Sequence, residues 1–367
     1  MTARSLLARP SRAVAGGLVR ARTHGWASHS RLFAVGERTG WSVDEDARHV
    51  EAAAGRLGFE VAPSGWARFT TGQSVFVASH FEAFHPRWLK TTHRLATAYL
   101  HGRPGTAGYP EFDRAFESLR AMPKRFSRIQ VTHAEMHDLV LEAGVEASAV
   151  QVIPIGIDLQ NFPLVTPERR SAARARFELP QEAFVVGSFQ KDGVGWEKGL
   201  EPKLIKGPDV LVASLRRMKP AIPELYVLLT GPARGYVRRE LDAARIAYEH
   251  ALVETRAELA SAYHAVDVCL VPSRQEGGPK AVLEAMASGV PLVTTRVGQA
   301  QELHEHGRTA ALVDVEDVDG LVEWATRVHA GEGAAWREPA LALAEEHAHE
   351  RLDPEWARLL DGFVAKP

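Results

Sequence analysis

Two glutamates and a pair of glycines are the residues of this chain with the clearest chemistry to offer. Glu276 and Glu284 are eight positions apart, and Gly277 and Gly278 follow the first of them. Acids at this distance are not the i,i+4 neighbours of a surface pair on a helix. Glycines let a ligand approach the backbone closely. The pattern predicts two carboxylate contacts along one elongated polar ligand, and the alternative is two solvated acids at a helix end.

These glutamates lie between a predicted strand and a predicted helix. The apolar strand 266–271 is followed by a loop, and the helix begins at about Lys280. Glu276 therefore lies in the loop at a helix N-terminus, and Glu284 lies about one turn inside the helix. Free backbone N–H groups and the helix dipole favour negative charge at such a terminus.

Short apolar runs alternate with helical patterns along most of the chain. The predicted strands are 32–35, 74–79, 95–100, 129–132, 150–153, 184–187, 225–230, 266–271 and 291–294. Alternation of this kind predicts an α/β protein with parallel sheets. Continuous apolar strands fit sheets buried on both faces. A proline-rich stretch, 154–180, marks the boundary between two doubly wound, Rossmann-like domains that face each other across a cleft.

Composition narrows the class of protein. The chain has 367 residues, a formal net charge of −2 and a single cysteine, Cys269. Without a positive field, no nucleic-acid partner is expected. One cysteine excludes an intramolecular disulfide and fits a reducing compartment, so we expect a cytoplasmic protein. No run approaches the roughly 18 apolar residues of a membrane span, although peripheral contact with the inner face of a membrane stays open.

A resemblance follows from the extended motif. Glu276-x7-Glu284, followed by Ala285-Met-Ala-Ser-Gly-Val-Pro291 and Gly298-x-x-x-Glu302, resembles the retaining glycosyltransferases of family 4, which have the GT-B fold. The likeness covers about residues 150–325 well and the first 150 loosely. It implies a transferase that moves a hexose-type sugar from a nucleotide-diphosphate donor of UDP, GDP or ADP type to an acceptor hydroxyl. The acceptor would be a sugar, a lipid-linked sugar or a small molecule.

The resemblance also implies one domain for the acceptor and one for the donor. Residues 1–154 would form the acceptor-side domain, 155–349 the donor domain, and 350–367 a C-terminal helix that packs back on the first domain. The first 36 residues hold six arginines and no acid, and we predict a disordered start over 1–30 rather than a targeting segment, the alternative reading.

Donor residues are carried over position by position. Glu276 and the two glycines after it would contact the sugar, and Glu284 would accept hydrogen bonds from the ribose hydroxyls. The loop at Val253 would supply backbone contacts to the base. The implied donor-binding residues are Lys191, Lys206, Val253, Glu276, Gly277, Gly278, Pro279, Lys280 and Glu284.

The diphosphate site departs from the family pattern. The family places an arginine and a lysine on the phosphates. Lys206 matches the lysine, but Ser188 stands where the arginine is usual, and an insert, 192–205, precedes Lys206. Lys191 is the expected substitute, with a solvated loop lysine as the alternative. A lysine neutralises phosphate without the planar fork of arginine.

The predicted catalytic residues are Glu276, Lys206 and His101. His101 ends the strand 95–100 and is the candidate for a family histidine near the transferred sugar, with His133 as its rival. On the acceptor side, a glycine loop after the first strand would line the cleft. The residues predicted there are Gly36, Arg38, Gly40 and Trp41.

No metal or other cofactor is expected, and the nucleotide sugar is a cosubstrate. The sequence has no Asp-x-Asp constellation suited to a divalent ion and no His/Cys cluster with ligand spacing. Two alternatives to a transferase remain. One is a catalytically weakened relative that binds a nucleotide or a partner, which the missing arginine favours. The other is a different activity on the same fold, such as an epimerase or a phosphorylase.

Overall fold

A computed structural model describes residues 12–37 and 42–366. The chain forms two compact units, each built on a parallel sheet. Among the described residues, the first unit contains 12–131, 137–152 and 353–366, and the second contains 132–136 and 153–352. In the described part of the chain, no helix has the length and apolar character needed to cross a membrane.

The strands of the described residues follow the chain in order. They are β1 (Leu32–Val35), β2 (Ser74–Val77), β3 (Arg94–Ala98), β4 (Phe126–Val131), β5 (Val150–Val152), β6 (Phe184–Ser188), β7 (Leu225–Thr230), β8 (Ala247–Ala251), β9 (Val268–Val271), β10 (Leu292–Thr295) and β11 (Ala311–Val313). All pairings between these strands are parallel.

Helices connect the strands and cover the sheets. They are α1 (Arg12–Thr23), α2 (Ser42–Arg56), α3 (His80–Ala83), α4 (Pro86–Leu89), α5 (Pro110–Ala121), α6 (Ala134–Glu142), α7 (Pro167–Arg176), α8 (Pro208–Met218), α9 (Gly235–Ala244), α10 (Arg256–Ala265), α11 (Lys280–Ala287), α12 (Ala300–Leu303), α13 (Val318–His329), α14 (Arg337–Glu346) and α15 (Asp353–Leu360).

In the first unit the strand order is β1-β2-β3-β4-β5. Beyond β1, the described part of the chain adds an isolated parallel bridge between Leu32 and Val61. Leu32 N donates to Glu60 O at 2.9 Å, and Ala62 N donates to Leu32 O at 2.9 Å. The chain thus steps outward from β1, then returns to β2 on the other side, which is the reversal of a doubly wound sheet.

The C-terminal segment packs within the first unit. Trp356, Leu359, Leu360 and Phe363 are buried, and this i, i+3, i+4 spacing puts them on one face. The Trp356 ring lies 5.8 Å from the ring of Phe76 on β2. Ser74 Oγ donates a hydrogen bond to Phe363 O at 2.6 Å. The last helix therefore shares a core with the first sheet.

In the second unit the order is β11-β10-β9-β6-β7-β8. From β6 the chain winds outward to β8 and then returns to β9 on the opposite side of β6. The order of strands reverses between β6 and β9, which pair through Val186 with Val268 and Gly187 with Cys269. Open α/β sheets bind ligands at the carboxyl ends of the strands at such a switch point. The predicted α/β class with two parallel sheets is confirmed.

Candidate active site

The loops that leave the switch point carry most of the predicted site residues. The loop after β6 contains Lys191, and the loop after β9 contains Glu276. Ser273 links the two loops, because its hydroxyl lies 3.1 Å from Gln190 Oε1 and 2.9 Å from Glu276 Oε1. Parallel strands that end side by side therefore bring residues far apart in the sequence into one site.

Glu276 is the centre of this site. Its side chain is only 9% exposed, and Lys206 Nζ lies 2.6 Å from each carboxylate oxygen. Lys206 ends a short 3-10 turn, two residues before α8 begins. A buried carboxylate needs such a charged partner, since an unpaired one is costly. The alternative of a solvated acid at a helix end is therefore excluded for Glu276.

Arg274 fixes the loop that carries Glu276. Its guanidinium donates to both carboxylate oxygens of Asp209 at 2.8 and 2.7 Å and to Leu204 O at 2.7 Å. Hydrogen bonding to Asp209 is the largest influence that raises the pKa of Arg274 above its usual value. These bonds tie the Glu276 loop to the turn before α8, and they set the distance between Lys206 and Glu276.

Of the two glycines after Glu276, Gly278 is needed for packing within the protein. A Cβ on Gly278 would lie 2.6 Å from both Gln299 Oε1 and Ile155 Cγ1. Gln299 N donates to Gly277 O at 2.9 Å. The Gln299 side chain also accepts from Ile155 N at 2.6 Å and donates to Ile155 O at 3.0 Å. The sequence predicted that a ligand approaches the backbone closely here. The structure shows that Ile155 and Gln299 also approach Gly278 closely.

His133 lies beside the same loop, within the second unit. Thr132 Oγ1 donates to Gly277 O at 2.8 Å and lies 3.0 Å from His133 Nδ1. Burial is the main influence on the pKa of His133 and lowers it, opposed by the charges of Glu135 and Glu302. The rival histidine of the sequence prediction is thus next to the motif.

His101 lies in the first unit. Its ring is 5.7 Å from Phe112 and 5.9 Å from the ring of the buried His80. Burial, and next the charge of His101, lower the pKa of His80 well below its usual value. The predicted role of His101 at the donor sugar remains a prediction.

Lys191 lies near both the insert and Lys206. Its Nζ is 4.2 Å from the centroid of the Trp196 ring. Partial burial, and next the charge of Lys206, lower the pKa of Lys191. Lys191 is therefore a partly buried cation that contacts the Trp196 ring.

Glu284 is the second buried acid. It lies on α11 with an exposure of 5%. Arg256 Nη1 donates to one oxygen at 3.0 Å, and the Tyr263 hydroxyl donates to the other at 2.9 Å. Burial, and next the charge of Glu284, raise the pKa of Tyr263 well above its usual value. Glu284 is therefore a held acceptor group and not a solvated helix acid.

A buried arginine that the sequence did not single out, Arg234, lies next to Ser188. Arg234 is 1% exposed and donates to Ser188 O at 2.7 Å and to Ser188 Oγ at 2.9 Å. Its Nε lies 3.0 Å from Asp192 Oδ1. Burial lowers the pKa of Arg234 and raises that of Asp192. The buried guanidinium therefore fixes the loop after β6 through its contacts with Ser188 and Asp192. The sequence feature that could have identified this arginine is the segment Gly231-Pro-Ala-Arg234, which connects β7 to α9.

The other predicted residues have simpler positions. Val253 follows β8 and packs partly buried against the core. Pro279 is the N-cap residue of α11, and Lys280 is its first residue. Gly36 follows β1, and a Cβ there would overlap Asp44 in the first turn of α2. Predicted residues outside the described part of the chain are Arg38, Gly40 and Trp41.

No cluster of three or more His, Cys, Asp or Glu side chains with metal-binding geometry occurs within 12–37 and 42–366. Among the described residues, the site contains two lysines, two buried glutamates and the loops that hold them, with His133 beside the Glu276 loop.

Comparison with known proteins identifies the class of this site. Residues 199–330 match the family described as glycosyl transferases group 1. This segment is therefore similar to group 1 glycosyl transferases, the class that the sequence motif predicted.

The chain is also similar to D-inositol 3-phosphate glycosyltransferases. It is 30% identical to that of Mycolicibacterium smegmatis over 243 residues, covering 64% of this chain and 50% of the relative. For the protein of Xylanimonas cellulosilytica the identity is 31% over 250 residues, covering 64% and 55%. This chain thus spans about half the length of these relatives.

Solved structures share the fold. Anabaena HepE in complex with UDP and glucose has a TM-score of 0.71 at 15% identity, over 91% of this chain and 99% of HepE. Sucrose-phosphate synthase from Thermosynechococcus elongatus has a TM-score of 0.66 at 19% identity, over 87% and 78%. The predicted GT-B fold class is confirmed.

Proposed function

We propose that this chain is a retaining glycosyltransferase that moves a sugar from a nucleotide-diphosphate sugar to an acceptor hydroxyl. The contact between Lys206 and Glu276 carries the proposal. In such a donor the β-phosphate and the sugar are joined through one oxygen. A cationic side chain that binds the phosphate and a carboxylate that binds the sugar hydroxyls must therefore lie side by side. The 2.6 Å distance between these groups satisfies that requirement.

Departure of the nucleoside diphosphate is the costly event in the reaction. Charge develops on the β-phosphate as the bond to the anomeric carbon breaks, and preorganised cations stabilise that charge best. Lys206 and Lys191 would supply two positive charges there. Burial, and next the charge of Lys206, lower the pKa of Lys191, and a bound anion would favour its charged form. We propose that this stabilisation works without a metal ion.

Glu284 would bind the ribose. Arg256 and Tyr263 use one acceptor position on each carboxylate oxygen. Each carboxylate oxygen can accept more than one hydrogen bond, so Glu284 is chemically suited to accept from the vicinal hydroxyls as well. The loop at Val253 would then contact the base through its backbone.

Retention implies a front-face transfer. The bond from the anomeric carbon to the phosphate oxygen breaks, and the bond to the acceptor oxygen forms on the same face. The acceptor proton moves to the leaving phosphate oxygen. This route needs no second catalytic carboxylate of the glycosidase kind.

A transfer assay tests the proposal directly. UDP-glucose is the first donor to try, because structures of HepE contain UDP and UDP-glucose, and GDP- and ADP-glucose follow. D-inositol 3-phosphate, which the names of the relatives specify, is the first acceptor, followed by simple sugars and lipid-linked sugars. NMR of the product gives its anomeric configuration, and EDTA tests for a metal.

The outcomes separate the candidate functions. An α-linked product from an α-linked donor, formed equally well in EDTA, is expected. A β-linked product would contradict retention, and loss of activity in EDTA would contradict transfer without a metal. Nucleotide binding without turnover would indicate the weakened relative, and donor epimerisation or sugar phosphate formation would indicate the other activities.

A further inference from the structure

The insert 192–205 is a closed loop with its own hydrogen bonds. Lys203 N donates to Asp192 O at 2.7 Å, and Val194 N donates to Glu201 O at 2.9 Å. Between these bonds, Gly193 and Pro202 form an antiparallel bridge. The two ends of the insert are therefore held together, and residues 195–200 form its tip.

The tip is fastened to the beginning of α9. Gly235 N donates to Lys198 O at 2.8 Å, and Tyr236 N donates to Gly199 O at 2.8 Å. A Cβ on Gly199 would overlap the backbone of Ala233, and its φ of +64° also favours glycine. These carbonyls satisfy N–H groups that a helix leaves free at its start. The insert is thus a built element with a fixed position.

This element carries Trp196 to Lys191. The indole is 55% exposed, and the Lys191 ammonium lies 4.2 Å from its ring centroid. Burial, and next the charge of Lys206, lower the pKa of Lys191. An aromatic face attracts a cation, so Trp196 offsets the repulsion from Lys206.

We infer that Trp196 is a positioning residue that holds Lys191 in place for the donor diphosphate, and this rests on the proposed function. An arginine fork is planar and preorganised, whereas a lysine has a flexible stem of four carbons. Where Ser188 replaces the arginine of the family pattern, a lysine alone would lose orientation. The Trp196 ring restores it by restricting the ammonium to one face of the indole.

Calorimetric titration with UDP, GDP and ADP tests this inference on the whole chain. For the nucleoside diphosphate that binds the wild type, Trp196→Leu is expected to weaken binding about 3- to 30-fold, the range of a cation–π contact. Trp196→Phe should be intermediate, because its ring keeps part of the attraction. Val194→Ala, an exposed residue of the same insert, is the matched control and should bind as the wild type does.

A double-mutant cycle separates positioning of Lys191 from a general effect on the loop. In a Lys191→Met background, Trp196→Leu should change the dissociation constant by less than about twofold, because the cation it positions is gone. An equal loss in both backgrounds would overturn the inference, and so would normal binding by Trp196→Leu alone. In either of those cases, nucleotide binding by the wild type still supports the proposed function. If the wild type binds none of the three nucleotides, the proposed function and the inference both fail.

Discussion

Lys206 and Glu276 form a two-point ion pair, with the ammonium nitrogen 2.6 Å from both carboxylate oxygens. The partners are 70 positions apart in the sequence and come from separate loops of the second sheet. Arg274 and Ser273 hold the two loops at this distance. The cation that we propose for the phosphate and the carboxylate that we propose for the sugar hydroxyls are therefore already adjacent in the folded chain.

Removal of the Lys206 charge should reduce transfer strongly. We expect Lys206→Met to lower kcat/KM by roughly 10²- to 10³-fold, because it removes a preorganised charge at the leaving phosphate. The measurement is steady-state kinetics with the active donor. Lys198→Met, an exposed lysine of the insert, is the control and should keep wild-type kinetics. Near-normal kcat/KM in Lys206→Met would contradict the assignment.

Glu284 should be required for nucleotide binding. Glu284→Ala is expected to abolish measurable donor binding in calorimetry, since the ribose hydroxyls lose their acceptor. Tyr263→Phe is the milder companion, because it removes only one hydrogen bond to Glu284, worth about 1 kcal/mol. Its donor affinity should fall by less than about tenfold. Unchanged affinity for every nucleotide sugar in Glu284→Ala would exclude a ribose contact.

The Arg234–Asp192 pair should contribute to stability rather than to ligand contact. Arg234→Met leaves the buried Asp192 carboxylate without its partner, and loss of one member of a buried pair costs about 3–5 kcal/mol. Urea unfolding of the variant measures this. Arg234→Met combined with Asp192→Asn should recover part of the loss, because no charge then remains unpaired. A double variant as unstable as the sum of the single variants would argue against the pairing.

Stability should decrease in mild acid partly because of His304. Burial, aided by the charge of His347, lowers the pKa of His304 to about 4. In the unfolded chain this histidine takes up a proton near its ordinary value of 6.5, so between these values the unfolded state binds more protons. The stabilisation is present above pH 6.5 and is lost as pH falls towards 4.

The expected size of this effect is about 2 kcal/mol between pH 7 and pH 5. Urea unfolding of His304→Gln should show a correspondingly smaller decrease over that interval. His24→Gln is the control, since His24 is exposed. The same pH dependence in His304→Gln and the wild type would contradict the prediction.

The sequence predicted the parts of the fold that carry a local signal. The continuous apolar run Leu225–Thr230, for example, has the predicted bounds. Other elements lacked such a signal, among them one strand and one helix. The strand Ala247–Ala251 is a partly exposed edge that pairs only with β7. The helix Pro167–Arg176 is so highly charged that it resembled a linker, and its buried residues include Arg174.

The site was predictable where residue identity fixes the chemistry. Glu276, Glu284 and Lys206 were found because the motif spacing is local. Arg234 was not found, because it follows β7 and its hydrogen bonds to Ser188, at the end of β6, exist only in the folded sheet. Trp196 was overlooked for a related reason: its contact with Lys191 depends on a closed insert whose hydrogen bonds have no sequence pattern.

The most direct test of the account compares three ligands of one nucleoside series. Calorimetry with UMP, UDP and UDP-glucose separates the contribution of the β-phosphate to binding from that of the sugar. The matching guanosine or adenosine series is used if that donor is active. Lys206→Met should reduce the preference for diphosphate over monophosphate, and Glu276→Gln should reduce the preference for the sugar nucleotide over the diphosphate. If both preferences are the same in these variants as in the wild type, the Lys206–Glu276 pair does not bind the junction of phosphate and sugar.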